Sequence, residues 1–312
     1  MADVTATSVD GSKGPPIGAM RLPRQLSQSK AAYILLAPLL IFFGVSVIYP
    51  VIETIRLSFF EIKGLAPAKA VGLGNYFKLL SDENFLRALR VTFVWSFSAT
   101  LFSVMIGWAL AMACALKPRE TMVFRVLIFA AYGVSEAVVG FIWLGIYRPD
   151  YGLVNGILGG LGLENMQQAW LGNPDTALTA VIVAYVWTQV GLPLMTCFAS
   201  IQSIPRTYFE AAYIDGAKPM SMMRHIVMPL SLPGVRVAIF INLLQSLKAF
   251  DLIYMLTGGG PVRSTETVGF FMFRESMLNF KLGYGAASTV VLLVAVLIVS
   301  TPLIAQRTRA VK

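Results

Sequence analysis

Six stretches of this 312-residue sequence, at about 31–53, 91–116, 123–147, 177–201, 233–256 and 284–305, are each long and apolar enough to cross a bilayer. A span needs about 20 such residues, because the hydrocarbon core is about 30 Å thick and a helix rises about 1.5 Å per residue. No water reaches that core, so every backbone N–H and C=O must be satisfied within the protein, and the stretches fold as helices. Arg236, Lys248 and Asp251 make the fifth the least uniform. Composition agrees: 56% apolar and only 13% charged residues cannot coat two soluble domains of this total length. The chain therefore reads as an all-α integral membrane protein with six transmembrane helices. Residues 1–30, polar and rich in Gly, Pro and Ser, are expected as a disordered cytoplasmic tail. The transmembrane domain follows over 31–306, and 307–312 form a short cytoplasmic tail. A cleaved signal peptide is not expected, because the apolar run starts late and no A-x-A site closes it.

Lysines and arginines set the orientation. With the N-terminus inside, the inner segments hold fourteen basic residues against five acids, and the outer ones ten against nine. Net charges of +9 inside and +1 outside put both termini in the cytoplasm. The overall +9 is thus a topology signal, with some contact to anionic lipid, and not a nucleic-acid footprint.

The motifs of catalysis are missing. No G-x-x-x-x-G-K-[ST], H-E-x-x-H, G-x-S-x-G or C-x-x-C occurs. One histidine and two cysteines exclude a multi-cysteine zinc module, and Cys114 and Cys197 lie in apolar runs as small packing residues. His225 sits in a polar loop without a thiol or carboxylate pair. No enzyme activity and no cofactor are expected of this chain, so energy for active transport must come from an ion gradient or another subunit.

The segment of about 204–229 is too structured to be a plain connector. Pro205 ends the fourth span and a short helix starts at Arg206 or Thr207, with Phe209, Ala212 and Tyr213 on one face. Gly216 suits the position just past its end. A second short helix from Pro219 presents Met222, Met223 and Ile226 and stops at Pro229. Two such helices at right angles would form a rigid knob at the inner surface, or an interfacial anchor.

Glu210-Ala211-Ala212, three residues, Gly216, nine residues, then Ile226-Val227-Met228-Pro229 resembles the E-A-A-x3-G-x9-I-x-L-P loop of ATP-binding-cassette importer permeases, with Met228 in place of Leu. Gly72-Leu73-Gly74-Asn75-Tyr76, Trp143 with Asp150–Asn155, and Phe250–Pro261 with Ser264–Thr267 are similar to further motifs of that family's carbohydrate-uptake branch, in order across about 31–306. The resemblance implies a permease subunit of a binding-protein-dependent importer of a sugar or sugar-like solute. It implies a heterodimer with a second permease in the cytoplasmic (inner) membrane, and an extracytoplasmic solute-binding protein. Two cytoplasmic ATPase subunits would bind the ATP and Mg. Glu210, Ala211, Ala212, Asp215, Gly216, Ile226 and Pro229 would form the coupling element that sits in an ATPase groove.

Three ionisable residues fall inside spans, where a charge costs several kcal/mol unless paired, neutral or wet. Glu136 lies at the middle of the third, where the family more often has proline or an apolar residue. Lys248 and Asp251 lie i, i+3 on the fifth and could pair directly. With Gln189, Asn242 and Gln245 they either line a solute path or fix the bundle as interhelical ion pairs. An ion-coupled secondary transporter is the competing reading. It would suit a membrane carboxylate, but no inverted repeat is evident.

Overall fold

The computed structural model describes residues 28–309, with side chains described between Tyr33 and Thr301, Ile34 excepted. Most of the expected N-terminal tail lies outside the described residues, as does the end of the C-terminal one, although helix already runs through 28–30 and 307–309. The chain divides at Ile52/Glu53 into two compact units. In the first, α1 (Gln28–Phe43) continues through a π-turn (Gly44–Ile48) into α2 (Tyr49–Leu57), which carries the chain into the second unit. The π-turn lies just ahead of Pro50, whose ring would otherwise meet a carbonyl of the preceding turn.

The second unit starts with a two-residue hairpin, β1 (Phe60–Glu61) antiparallel to β2 (Lys69–Ala70), and α3 (Gly74–Ser81). Asn75, buried, explains the first motif: its Nδ2 donates to the carbonyls of Ser58 and Phe60, both at 2.9 Å, tying α3 to the hairpin. α4 (Glu83–Leu116) is capped by Asp82, whose carboxylate accepts the Asn84 N–H at 2.9 Å and the Tyr284 hydroxyl at 2.7 Å. Burial pushes that carboxyl up, but these hydrogen bonds outweigh it and hold Asp82 below its ordinary value.

Next come α5 (Met122–Tyr132) and α6 (Glu136–Ile146), bent by 99° at the break between them, and the short α7 (Leu153–Gly160). Asn155 explains the second motif. It donates to the carbonyls of Pro149 and Gln168, and its Oδ1 accepts from the Trp170 indole at 2.8 Å, clipping the loop around α7 shut. α8 (Pro174–Gln189) and α9 (Gly191–Gln202) are bent by 44°, and α10 (Arg206–Ile214) follows. α11 (Pro219–Met222) passes through a π-turn into α12 (Met228–Leu247), and α13 (Asp251–Leu256), α14 (Val268–Phe273) and α15 (Leu282–Arg309) complete the chain.

Among the described residues, four helical stretches are long and apolar enough to span a membrane, at Leu35–Leu57, Glu83–Leu116, Pro219–Leu247 and Leu282–Thr301. The count reaches six if each bent pair is one span. The fifth stretch differs from its expected limits. Helix runs unbroken from Pro219 to Leu247, and the chain breaks at Lys248–Phe250 before α13. Pro229 does not end a helix, because the π-turn at Met223–Val227 takes up the mismatch that the ring would create.

α4, α8–α9 and α12 form the centre. Trp95 of α4 is fully buried, packs edge-on against Tyr185 of α8 (4.9 Å between rings), and donates its indole N–H to the Ser246 carbonyl of α12 at 2.9 Å. Nearer α10, Gly107 lets α4 and α9 touch: a Cβ there would lie 2.5 Å from Cβ of Pro193 and 2.8 Å from the Leu194 backbone nitrogen. Gly107→Ala should therefore destabilise the subunit by about 1–3 kcal/mol, as overpacking does. A thermal unfolding midpoint unchanged from wild type would contradict this close approach.

Candidate functional site: a knob and a polar face at two helix breaks

α10 starts at Arg206, directly after Pro205, and ends where Gly216 takes φ +69°. The Gly216 N–H donates to the Tyr213 carbonyl at 3.0 Å and the Ala217 N–H to the Ala212 carbonyl at 2.9 Å, the bonds of a helix stopped by a left-handed residue. Phe209, Met223 and Ile226 pack onto a buried cluster of Cys197, Ile201, Ile204 and Val227, so the knob is fixed to α9 and α12. Ala212 is half-buried beneath it, while Glu210, Ala211, Asp215, Gly216 and Pro229 are exposed. Tyr213 does not join the packed face as its spacing suggests. It points outward, 79% exposed, with Ile214 at 84% and Met220 at 78%. Together they leave an exposed apolar tip on an otherwise anchored helix.

The second region lies where two helices break. Glu136 opens α6, directly after the Gly133–Ser135 break, and its carboxylate neighbours the Asp251 carboxylate and the Leu252 N–H at the start of α13. It is also within electrostatic range of the buried Tyr185. Gln245 donates to the Tyr132 hydroxyl at 2.8 Å alongside. Trp95, bonded to Ser246, is twelve residues into α4, about 18 Å from the start of that 34-residue helix.

The six polar residues expected to act together separate into two groups. Lys248 and Asp251 are exposed, Glu136 and Gln245 are half-buried, and all four border the breaks. Gln189 and Asn242 are instead buried, at 4% and 0% exposure, among the packed helices. Their Oε1 and Oδ1 atoms have no hydrogen-bond partner among the described residues, although Asn242 Nδ2 donates to the Ala238 carbonyl. The expected Lys248–Asp251 ion pair is not formed. The helix that would hold them on one face is interrupted between them, with Lys248 closing α12 and Asp251 opening α13. Sequence reasoning missed Tyr132 and Tyr254. Tyr254 is 45% exposed beside Asp251, against Phe250 and Phe273 at ring distances of 5.5 and 5.6 Å. Its spacing of three residues from Asp251, about one helical turn, is the signal that could have found it.

Among the described residues there is no group of three or more His, Cys, Asp or Glu side chains that could hold a metal ion.

Residues 85–309 match the family described as binding-protein-dependent transport system inner membrane component. A probable ABC transporter permease of Pyrococcus horikoshii is 33% identical over 268 residues, covering 86% of this chain and 92% of that protein. The trehalose/maltose transport system permease MalF of Thermococcus litoralis is 32% identical, covering 88% and 91%. In fold, a chain in the structure of a bacterial alginate ABC transporter in complex with an alginate-pentasaccharide-bound periplasmic protein superposes with a TM-score of 0.79 at 21% identity, over 91% of this chain and 96% of that one. The chain belongs to the family of inner membrane components of binding-protein-dependent transport systems, and is a permease of the ABC type.

Proposed function

We propose that this permease forms one half of the translocation path of a sugar importer. A second, homologous permease would complete the path, and an extracytoplasmic binding protein would deliver the solute. Two cytoplasmic ATPase subunits would supply the energy, with ATP and Mg bound there and not in this chain. Sugar as the solute class is supported by the trehalose/maltose relative.

One observation carries the path reading: Lys248 and Asp251 are charged, exposed and without ion-pair partners among the described residues, at the break between α12 and α13 inside the apolar stretch 233–256. Facing lipid there would cost several kcal/mol each, so that face must meet water, solute or a polar partner. A water-filled path shared with a second permease meets the requirement. Glu136, Gln245, Lys248 and Asp251 then border the solute, whereas Gln189 and Asn242 stiffen the wall behind it.

On the same reading each bent pair is one span, giving six, with both termini and the knob in the cytoplasm. The knob, from Glu210 through Asp215 and Gly216 to Ile226 and Pro229, fits into an ATPase groove. Its exposed tip of Tyr213, Ile214 and Met220 supplies the apolar contact, and the small Ala211 permits close approach.

Two experiments test this. A cysteine at Ser221 should react with impermeant reagents only from the cytoplasmic side, and one at Asn165 only from outside. The reverse labelling would overturn the orientation and the ATPase surface with it. Purified with its partners and reconstituted, the complex should show ATPase activity stimulated by at least one member of a panel of sugars offered with the binding protein.

A further inference from the structure

We propose that the outer end of α6 carries a binding site for an anionic phospholipid, with Arg148 holding the phosphate. A groove of about 530 Å³ opens there, between α6 and the loop that leads into α8. Phe141, Leu144 and Gly145 of α6 line it together with Leu171, and the exposed Arg148 and Tyr151 stand at its mouth. Phe141 is 76% exposed and Tyr151 69%. Tyr147 is buried and fixed by its hydroxyl, which donates to the Ala180 carbonyl at 2.9 Å, so one wall is rigid.

Arg148 is the single cation in this lining, which contains no acid. It makes no ion pair among the described residues and rests instead against the Tyr151 ring, 4.8 Å from its centroid. That stacking holds the guanidinium at the mouth and leaves its N–H donors free to point outward. Phe141 lies seven residues before Arg148, about 10 Å back along α6 toward the level of Glu136. Leu171 and Gly172 of the lining lie just before the start of α8, where Asn173 caps the helix, and Tyr147 and Tyr151 are of the type that concentrates at a membrane–water boundary.

An apolar trough about 10 Å long that ends in one uncompensated cation fits an acyl chain joined to a phosphate. A sugar would find almost no polar wall in it. A protein segment could fill the apolar part and pair the cation with a carboxylate, and is an outcome the test separates.

Gly145 gives a clean probe, because a Cβ built there meets nothing within 4 Å. Gly145→Leu should fold normally and fill the groove, while Arg148→Gln removes only the charge. The permease, purified with its partner subunits, would be placed in nanodiscs of equal phosphatidylglycerol and phosphatidylcholine, and retained lipid counted by native mass spectrometry. Wild type should retain phosphatidylglycerol in preference to phosphatidylcholine. Arg148→Gln should lower that occupancy about fivefold, the effect of one cation near an anionic surface, and Gly145→Leu should lower it at least as much. A photo-crosslinker at Phe141 in the otherwise unchanged complex should capture lipid, which keeps the test independent of how either variant assembles. Equal retention of the two lipids, unchanged phosphatidylglycerol in both variants, or crosslinking at 141 to a protein subunit would each overturn the proposal.

Discussion

Gly216→Leu is expected to leave a subunit that inserts and folds but does not transport. The residue sits at φ +69°, where a branched side chain costs about 1–3 kcal/mol, and the turn it makes sets the end of α10 against α11. Space within the chain is not the issue, since a Cβ at this position meets nothing within 4 Å. The cost therefore comes from the backbone and from the surface a partner must approach. The measurements are thermal stability, co-purification with the ATPase subunits, and solute-stimulated ATPase activity. Stability should fall only slightly, while coupled activity falls at least tenfold. Gly216→Asn is the control, because asparagine tolerates the left-handed region and should retain most coupling. Full transport in Gly216→Leu would remove the reason for calling this turn part of a coupling element.

The second large effect is expected at Glu136. Its carboxylate is half-buried at the start of α6, within interaction range of Asp251 and of the Leu252 N–H at the start of α13. If it hydrogen-bonds solute hydroxyls, Glu136→Gln preserves shape and one acceptor but loses a charge-assisted bond of about 1.5–3 kcal/mol. Solute affinity should then drop about tenfold to a hundredfold, with the amount of assembled complex unchanged. Glu136→Leu should impair transport further, yet leave stability equal or raised, because an apolar group replaces a half-buried charge. Were Glu136 only a strut of the bundle, both variants would lower the yield of assembled complex and leave the affinity of the remainder untouched. Measuring yield and affinity in parallel separates the two, and an unaltered affinity in Glu136→Gln would remove this residue from the path.

Much of this could be read without coordinates. Long apolar stretches must become helices in lipid whatever surrounds them, so the span-forming regions followed from hydropathy alone. The end of α10 was legible for a similar local reason: Gly216 alone in its neighbourhood takes a left-handed turn without strain. Asn75 and Asn155 stood out as motif residues, but their work as clips on backbone carbonyls depends on partners in distant turns, Ser58 and Phe60 for one and Gln168 for the other. Hydropathy averages over a window and cannot see a break that lacks proline. Gly133–Ser135 and Lys248–Phe250 looked like continuous span, and the helix from Pro219 looked as if it should stop at Pro229. Tertiary packing decided each of these. α6 turns by 99° so that Gly140 can lie against Met255 and Leu252 of α13, and the π-turn before Pro229 keeps Val227 in the core beside Cys197 and Ile201. The break between α12 and α13 separates Lys248 from Asp251 and leaves both exposed, while Gln189 and Asn242 are buried among the central helices. Sequence periodicity assigns a residue to a face of its own helix. Which face is buried depends on the helices packed beside it, whose contacts are long-range and leave no trace in local spacing.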